Sequence, residues 1–375
     1  MKIGFVLDDS LDKTDGVQQY VTTLGAWFTH EGHDVHYLVG HTERRDLPNI
    51  HSLSRNVQAH FNQNRMSTPL PVSTRKVKAL LAQEEFDVLH VQMPYSPFMA
   101  AKIIKNAPKD AAIIGTFHIL PYSRLESVAT RTLALILRRS RKRFDTVVSV
   151  SAPAATFARK KFKVKSQVVP NAVPVAHFQT GKKIRKYDNG KLNIVYLGRL
   201  VERKGCRYFL EAIQLLHEQN LLHTVRVIIA GKGPEEAKLK KFVDDRRLGK
   251  SVIFLGYITE EEKPNLLASA DIAVMPSTGG ESFGIVLIEA MAAGADVVIA
   301  GNNKGYRSVM AGHKEQIISP ADTKAFAKML KHFIINANAR KRAKKWQTVH
   351  VHDFDVRIVG KKLLHIYKDA LRNKV

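Results

Sequence analysis

The chain has 375 residues, 45% of them hydrophobic and 25% charged, which excludes a disordered or fibrous polymer. A chain of that length exceeds the size at which one hydrophobic core keeps growing, so two domains are expected. Its 59 Lys and Arg against 34 Asp and Glu leave a formal charge of +25, favouring polyanionic partners: nucleic acid, anionic lipid or phosphorylated ligands.

Residues 3–7 form a short apolar run that predicts a strand, 17–30 a helix, and 34–39 a second strand. Apolar runs at 88–91, 112–116 and 146–150, each bounded by polar segments, continue the βαβ rhythm of a parallel sheet. Between the last two, residues 125–137 are rich in Leu, Val, Ile and Ala and run into Arg138-Arg139-Ser140-Arg141-Lys142-Arg143. That pattern fits a packed helix with a solvated basic end as well as a cationic amphipathic helix on an anionic membrane. The rhythm breaks at Pro170-Asn171-Ala172-Val173, and the basic, polar stretch 179–191 reads as an interdomain linker. It restarts with strands at 192–197, 225–230, 251–255, 272–275 and 296–300, and the tail 355–373 is helical in pattern and basic. Further basic clusters lie at 159–165, 182–186 and 340–345, so the charge is spread over both halves. Cys206 is the only cysteine, which rules out an internal disulfide and favours a reducing compartment. The N-terminus turns acidic after too few apolar residues for a signal peptide, and no run approaches the roughly 18 apolar residues of a spanning helix. A cytoplasmic protein is expected.

The loops that follow these strands carry the candidate chemistry, since open parallel sheets bind ligands outside their carboxyl ends. The first strand leads to Asp15-Gly16-Val17 at a helix start, and the run ending at Thr116 leads to Phe117-His118. In the second half, Gly198-Arg199 is followed by Lys204-Gly205, a fork and a point charge able to neutralise a diphosphate without a metal. The strand ending at Ala230 meets Gly231-Lys232-Gly233, a tight turn. Residues 279–294 place Gly279-Gly280 and Glu281 ahead of strong helix formers, a loop feeding a helix start that attracts phosphate. Two carboxylates there, Glu281 and Glu289, suit hydroxyl-rich groups on either side of a diphosphate; a surface acid before an ordinary core helix fits equally well.

In order, Gly16-Val17, Phe117-His118, Pro170-Asn171, Gly198-Arg199 with Lys204-Gly205, Gly231-Lys232-Gly233, Phe254-Leu255-Gly256 and Glu281-Ser282-Phe283-Gly284 to Glu289 resemble the retaining glycosyltransferases of the GT-B architecture, glycosyltransferase family 4 type. The match spans nearly the whole chain and is similar above all to phosphatidylinositol mannosyltransferases. It implies an α/β fold of two Rossmann-like parallel-sheet domains facing a central cleft. An acceptor-side domain would span 1–175 and a nucleotide-sugar domain 176–355, with a helix at 356–375 packing back on the first. It implies that Glu289 holds the ribose, that the backbone at Tyr257 and Ile258 faces the base, and that Arg199 and Lys204 stabilise the departing diphosphate. Gly16, Gly198, Gly231, Gly233 and the backbone of Ser282, Phe283, Gly284, Ile285 and Val286 would assist, while Glu281 and His118 contact the transferred sugar. Asp15, Gln18 and Ile119 fall on the acceptor side.

The implied activity is transfer of a hexose, such as mannose from GDP-mannose, to phosphatidylinositol or a glycolipid, by a protein peripheral on the inner face of the membrane. The basic clusters, with Arg75, Lys76 and Lys78, would dock it on anionic lipid. A UDP-sugar or a soluble acceptor is the alternative, and a nucleic-acid binder on a degenerate transferase scaffold the reading from another class. No cofactor beyond the nucleotide-sugar co-substrate is expected, and no Asp-x-Asp sits at a suitable strand end, so metal independence is expected. Three positions depart from the family pattern: Asp15 stands where a glycine is common, Ile119 where a hydroxyl residue is frequent, and Ala172 where glycine usually follows the asparagine.

Overall fold

The computed structural model of the protein describes residues 1–13, 15–61, 64–94, 96–119 and 137–374. The chain divides into two units, Met1–Ala172 together with Val356–Val375, and Val173–Asp355.

Unit 1 is built on β1 (Lys2–Leu7), β2 (Asp34–Val39), β3 (Ile50–Ser52), β4 (Asn56–Phe61), β5 (Asn64–Pro69), β6 (Val88–Gln92), β7 (Ala112–Phe117), β8 (Thr146–Ser149) and β9 (Gln167–Val168). Seven of these form one sheet in the order β3-β2-β1-β6-β7-β8-β9, with parallel neighbours throughout. The pair β4-β5 is antiparallel and separate. Strands covered on both faces must be apolar along their whole length, and β6 and β7 are buried at every position.

Helix Gly16–His30 lies on one face, burying Leu24, Trp27 and Phe28. The last helix, Val356–Arg372, packs there too: Val359, Leu363, Ile366, Tyr367 and Ala370 recur at helical spacing and join the same core. The Phe28 and Tyr367 rings lie 5.5 Å apart between centroids.

Unit 2 carries β10 (Leu192–Leu197), β11 (Val225–Ala230), β12 (Val252–Gly256), β13 (Ile272–Met275), β14 (Val297–Gly301) and β15 (Ile317–Ile318) in the parallel order β12-β11-β10-β13-β14-β15. Residues 179–191, read from sequence as a linker, belong to this unit. Lys182 N donates to Asn265 Oδ1 and Ile184 N to Ser269 Oγ, each at 2.8 Å, and Tyr187 is buried. Its backbone is held by side chains of unit 2.

In each sheet the chain walks outward from its first strand and then returns to that strand's other side. The order therefore reverses between β1 and β6 and between β10 and β13. Crevices outside the carboxyl ends at such reversals are where open parallel sheets bind ligands.

Candidate active site

At the unit 2 reversal, β10 gives way to Gly198-Arg199 and β13 to a loop, residues 276–284, that enters helix Ile285–Ala292. A tight turn, Glu202–Lys204, brings two cations back beneath this loop. One oxygen of Glu281 accepts from Arg203 Nη1 at 2.6 Å, Ser277 Oγ at 2.9 Å and Lys204 Nζ at 3.0 Å. Arg203 and Ser277 are buried. Burial alone would raise the Glu281 pKa, but Lys204 and Arg203 outweigh it and hold it at about 2. The Lys204 ammonium is itself lowered by burial, with Glu281 acting against that, and Arg199 is close enough to add to the repulsion. Two cations, Arg203 and Lys204, thus hold one ionised carboxylate, with Arg199 near Lys204, leaving an excess of positive charge suited to a diphosphate.

The loop's path depends on close backbone approach. A Cβ on Gly305 would lie 2.2 Å from the Glu281 carbonyl oxygen, so only glycine lets helix Lys304–Val309 press against it. Gly231, at φ +136°, passes the Gly198 carbonyl where a Cβ would sit 1.9 Å away. Gly198 N donates to Ala230 O and Leu200 N to Lys232 O, so Gly198, Gly231 and Gly233 are laced together at the ends of β10 and β11. Helix Ile285–Ala292 has Gly284 at its N-cap with no side-chain cap, so the N–H groups of its first turn, Ile285 and Val286 among them, are not satisfied by a capping side chain. Ser282 is half-buried, and Phe283 is buried, its ring 5.8 Å from that of Phe354.

Glu289 sits inside that helix, 4% exposed, and accepts from Lys263 Nζ at 3.1 Å; Lys263 also reaches Glu260 at 2.7 Å. Burial works to lower the Lys263 pKa, but the two carboxylates raise it above the ordinary value. Tyr257, exposed, and Ile258, half-buried, follow directly on β12 at the same carboxyl edge.

In unit 1, His118 follows β7 and is 8% exposed, its Nε2 2.8 Å from Gln92 Oε1. Gln92 Nε2 donates to His90 O at 3.2 Å, which orients the amide so that Oε1 accepts from His118 and leaves its Nδ1 as an acceptor. Burial lowers the His118 pKa to about 3, so the ring is neutral at physiological pH. Asp15 occupies the N-cap of helix Gly16–His30 without a side-chain cap bond, and Gly16 is exposed. Gln18 is buried and donates to Ser10 O at 3.1 Å, fixing the loop after β1. Ile119 packs beside Phe117, Phe157 and Phe162.

Two family models match this chain: Glycosyltransferase Family 4 over residues 14–177 and Glycosyl transferases group 1 over residues 178–347. A phosphatidyl-myo-inositol mannosyltransferase of Propionibacterium freudenreichii is 30% identical over 321 residues, covering 83% of this chain and 79% of that protein. The chain belongs to the family 4 glycosyltransferases. The Mycolicibacterium smegmatis protein named phosphatidyl-myo-inositol mannosyltransferase is 29% identical over 372 residues, 98% of this transferase and 94% of its relative. Among solved structures, a glycosyltransferase from Rickettsia africae has a TM-score of 0.75 at 18% identity, covering 99% of both chains. Anabaena HepE in complex with UDP also reaches 0.75 at 17% identity, covering 98% of this chain and 100% of that one. The transferase therefore has the GT-B fold.

Four residues of the candidate sites are not singled out by the sequence: Arg203, Ser277, Lys263 and Gln92. Arg203 immediately precedes Lys204, and Ser277 follows the strand that ends at Met275, so position alone offered a signal for these two. Lys263 and Gln92 offered none. The loop residues 120–123 and the apolar stretch 125–136 lie outside the described residues. Among the described residues no helix is long and apolar enough to cross a membrane. Part of the basic excess is structural: Arg340 Nη1 donates to Phe333 O and Ile334 O, Arg143 Nη2 to Ala107 O, and Lys76 Nζ to Ser52 O.

Proposed function

We propose that this glycosyltransferase moves a hexose with retention of configuration, mannose from GDP-mannose, onto phosphatidylinositol or a related glycolipid at the inner face of the membrane. The observation that carries the reading is the ionised Glu281 among Arg203, Lys204 and Ser277 beside the uncapped helix start at Ile285. Support for the lipid comes from relatives named phosphatidyl-myo-inositol mannosyltransferase that match most of the chain.

In this mechanism the bond between the sugar's anomeric carbon and the diphosphate breaks, and the nucleoside diphosphate leaves with the bonding pair. Arg199, Lys204 and the first-turn N–H groups of helix Ile285–Ala292 stabilise the charge that develops. An acceptor hydroxyl bonds to the anomeric carbon on the face being vacated, and its proton passes to the departing phosphate. A carboxylate with a pKa of about 2 is a weak base and a weak nucleophile, so Glu281 orients sugar hydroxyls and forms no covalent intermediate. Glu289, with Lys263 behind it, takes the ribose, and the segment at Tyr257 and Ile258 faces the base. Asp15, Gln18 and Ile119 serve the acceptor, and His118 contacts the sugar. Cationic side chains supply the charge stabilisation, so no divalent ion is required for turnover.

The test is transfer from labelled GDP-mannose, UDP-glucose and ADP-glucose to phosphatidylinositol vesicles in the presence of a chelator, with the product anomer read by NMR. Expected is a mannolipid of retained configuration from GDP-mannose alone. Transfer only from a UDP-sugar, or an inverted linkage, overturns the reading.

A further inference from the structure

A second cluster of ligand-type side chains lies in unit 1, at the amino ends of its strands and hence at the opposite edge of the sheet from the carboxyl-end loops. His36 stands on β2, His51 on the edge strand β3, and Glu84 at the last turn of helix Thr74–Glu84. One ligand atom from each lies within 4.8 Å of the other two. His36 Nδ1 is 2.9 Å from His51 Nε2 and 3.7 Å from Glu84 Oε2, and the imidazole planes are parallel to within 3°.

We propose that His36, His51 and Glu84 form a zinc site, binding one divalent ion through His36 Nδ1, His51 Nε2 and Glu84 Oε2 with water in the fourth position.

Three observations carry it. The first is spacing: ligands about 2.0–2.1 Å from a tetrahedral zinc stand about 3.3 Å from one another, between the two distances found here. Those two separations need an adjustment of only a few tenths of an ångström, and His51 Nε2 and Glu84 Oε2, within 4.8 Å of each other, close on the ion as it binds. The second is the support behind the ligand. His36 Nε2 donates to Asp34 Oδ1 at 3.1 Å, which fixes the tautomer and turns the Nδ1 lone pair toward His51 and Glu84. Asn49 Nδ2 donates to the same Asp34 oxygen at 3.1 Å and holds it in place. A carboxylate behind a histidine in this way is the usual second layer of a zinc site.

The third is charge and burial. His36 is 5% exposed, yet the only cation against Asp34 and Glu84 among the described residues here is Lys2, 3.7 Å from Asp34 and 3.3 Å from Glu84. Two carboxylates against one ammonium leave a residual negative charge that a divalent ion satisfies. The Lys2 side chain is 31% exposed and can turn outward to admit it. Two imidazoles and one carboxylate favour a borderline ion such as zinc over the all-oxygen preference of magnesium or calcium. The ion would tie the short edge strand β3 and helix Thr74–Glu84 to β2, and it takes no part in sugar transfer.

The experiment uses the full chain after chelator treatment, titrated with cobalt(II) and followed by the intense visible absorption of four-coordinate cobalt, with zinc displacing it in competition. Expected is one ion per chain and a raised thermal midpoint. His51→Gln and Glu84→Gln should keep the native circular dichroism and lose affinity by at least about tenfold, with Asp34→Asn weakening it about tenfold through the lost support. His36→Gln alone would be ambiguous, because a buried ring is removed from the sheet. Absence of the four-coordinate spectrum from the wild type, or unchanged affinity in both His51→Gln and Glu84→Gln, overturns the proposal.

Discussion

Arg203 and Glu281, separated by 78 positions in the chain, meet at 2.6 Å with the guanidinium side chain only 4% exposed. The pair fixes the loop after β13 to the turn after β10. Removing one partner of a buried ion pair leaves an uncompensated charge and costs roughly 3–5 kcal/mol. Arg203→Met is therefore expected to lower urea stability by about that amount and to abolish transfer. Glu281→Gln retains the shape and a carbonyl acceptor, so turnover should collapse with a smaller loss of stability. The carboxylate's contribution is full above its ordinary pKa of 4.5 and is lost as pH falls toward about 2. Stability of Glu281→Gln and wild type should accordingly converge below pH 4. Equal urea midpoints for Arg203→Met and wild type at pH 7 would contradict this account.

Unit 1 should weaken in acid for a different reason. Burial depresses the pKa of both His90 and His118 from 6.5 to about 3, with His118 adding to the effect at His90. Below pH 6.5 the unfolded chain takes up a proton at each ring while the folded chain does not. Stability therefore falls with pH down to about 3, by about 1.4 kcal/mol per pH unit for each histidine. Asp8 acts in the opposite sense, since burial pushes its carboxyl up to about 6 against hydrogen bonds from Ser96 and Ala100. Between pH 6 and its ordinary 3.8 it offsets about one histidine. Trp27 fluorescence during urea unfolding, in a Trp346→Phe background, should show stability falling with pH in that window. His90→Gln should reduce that slope by about one proton.

The strands were legible because parallel strands covered on both faces are apolar along their length, as β7 and β14 are. The short edge strands β3, β9 and β15 were not, being two or three residues long, and the polar pair β4-β5 shows no apolar run. At the site, Glu281, Lys204 and Glu289 could be singled out because carboxylates and cations beside a helix start are unusual. Lys263 could not, because in a chain with 59 basic residues nothing local marks it as buried, and Arg203 was marked only by its place next to Lys204. The constraint on Gly305 is likewise invisible in sequence, since it arises from a carbonyl 24 positions earlier.

That constraint gives a test confined to packing. Gly305→Ala would set a methyl 2.2 Å from Glu281 O, a backbone atom that cannot swing aside. Overpacking of this kind costs typically about 1–3 kcal/mol. Because the displaced atom belongs to Glu281, donor KM and kcat should suffer as well as the thermal midpoint. Gly249→Ala, where a Cβ meets nothing within 4 Å, is the control and should leave all three near wild type. Unaltered kinetics in Gly305→Ala would show that the loop relaxes without moving its carboxylate.

Lys263 and Glu289 form the second buried pair of unit 2, with side chains 10% and 5% exposed at 3.1 Å. Glu260 provides Lys263 with another partner at 2.7 Å, so the lysine keeps a counter-charge if Glu289 is neutralised. Lys263 in turn serves both carboxylates, Glu260 at 2.7 Å and Glu289 at 3.1 Å, so its loss strips two groups of one counter-charge. Lys263→Met should therefore be the more destabilising change, by roughly 3–5 kcal/mol, and Glu289→Gln the milder one. The double variant should be more stable than the sum of the two losses, with a coupling of about 0.5–3 kcal/mol for groups in direct contact. On the proposed role of Glu289 at the ribose, Glu289→Gln should raise the donor KM more than it lowers kcat. A double-mutant cycle on the urea midpoints, run beside donor kinetics, separates the two effects. Additive stabilities would show that Lys263 does not support Glu289, whatever the kinetics.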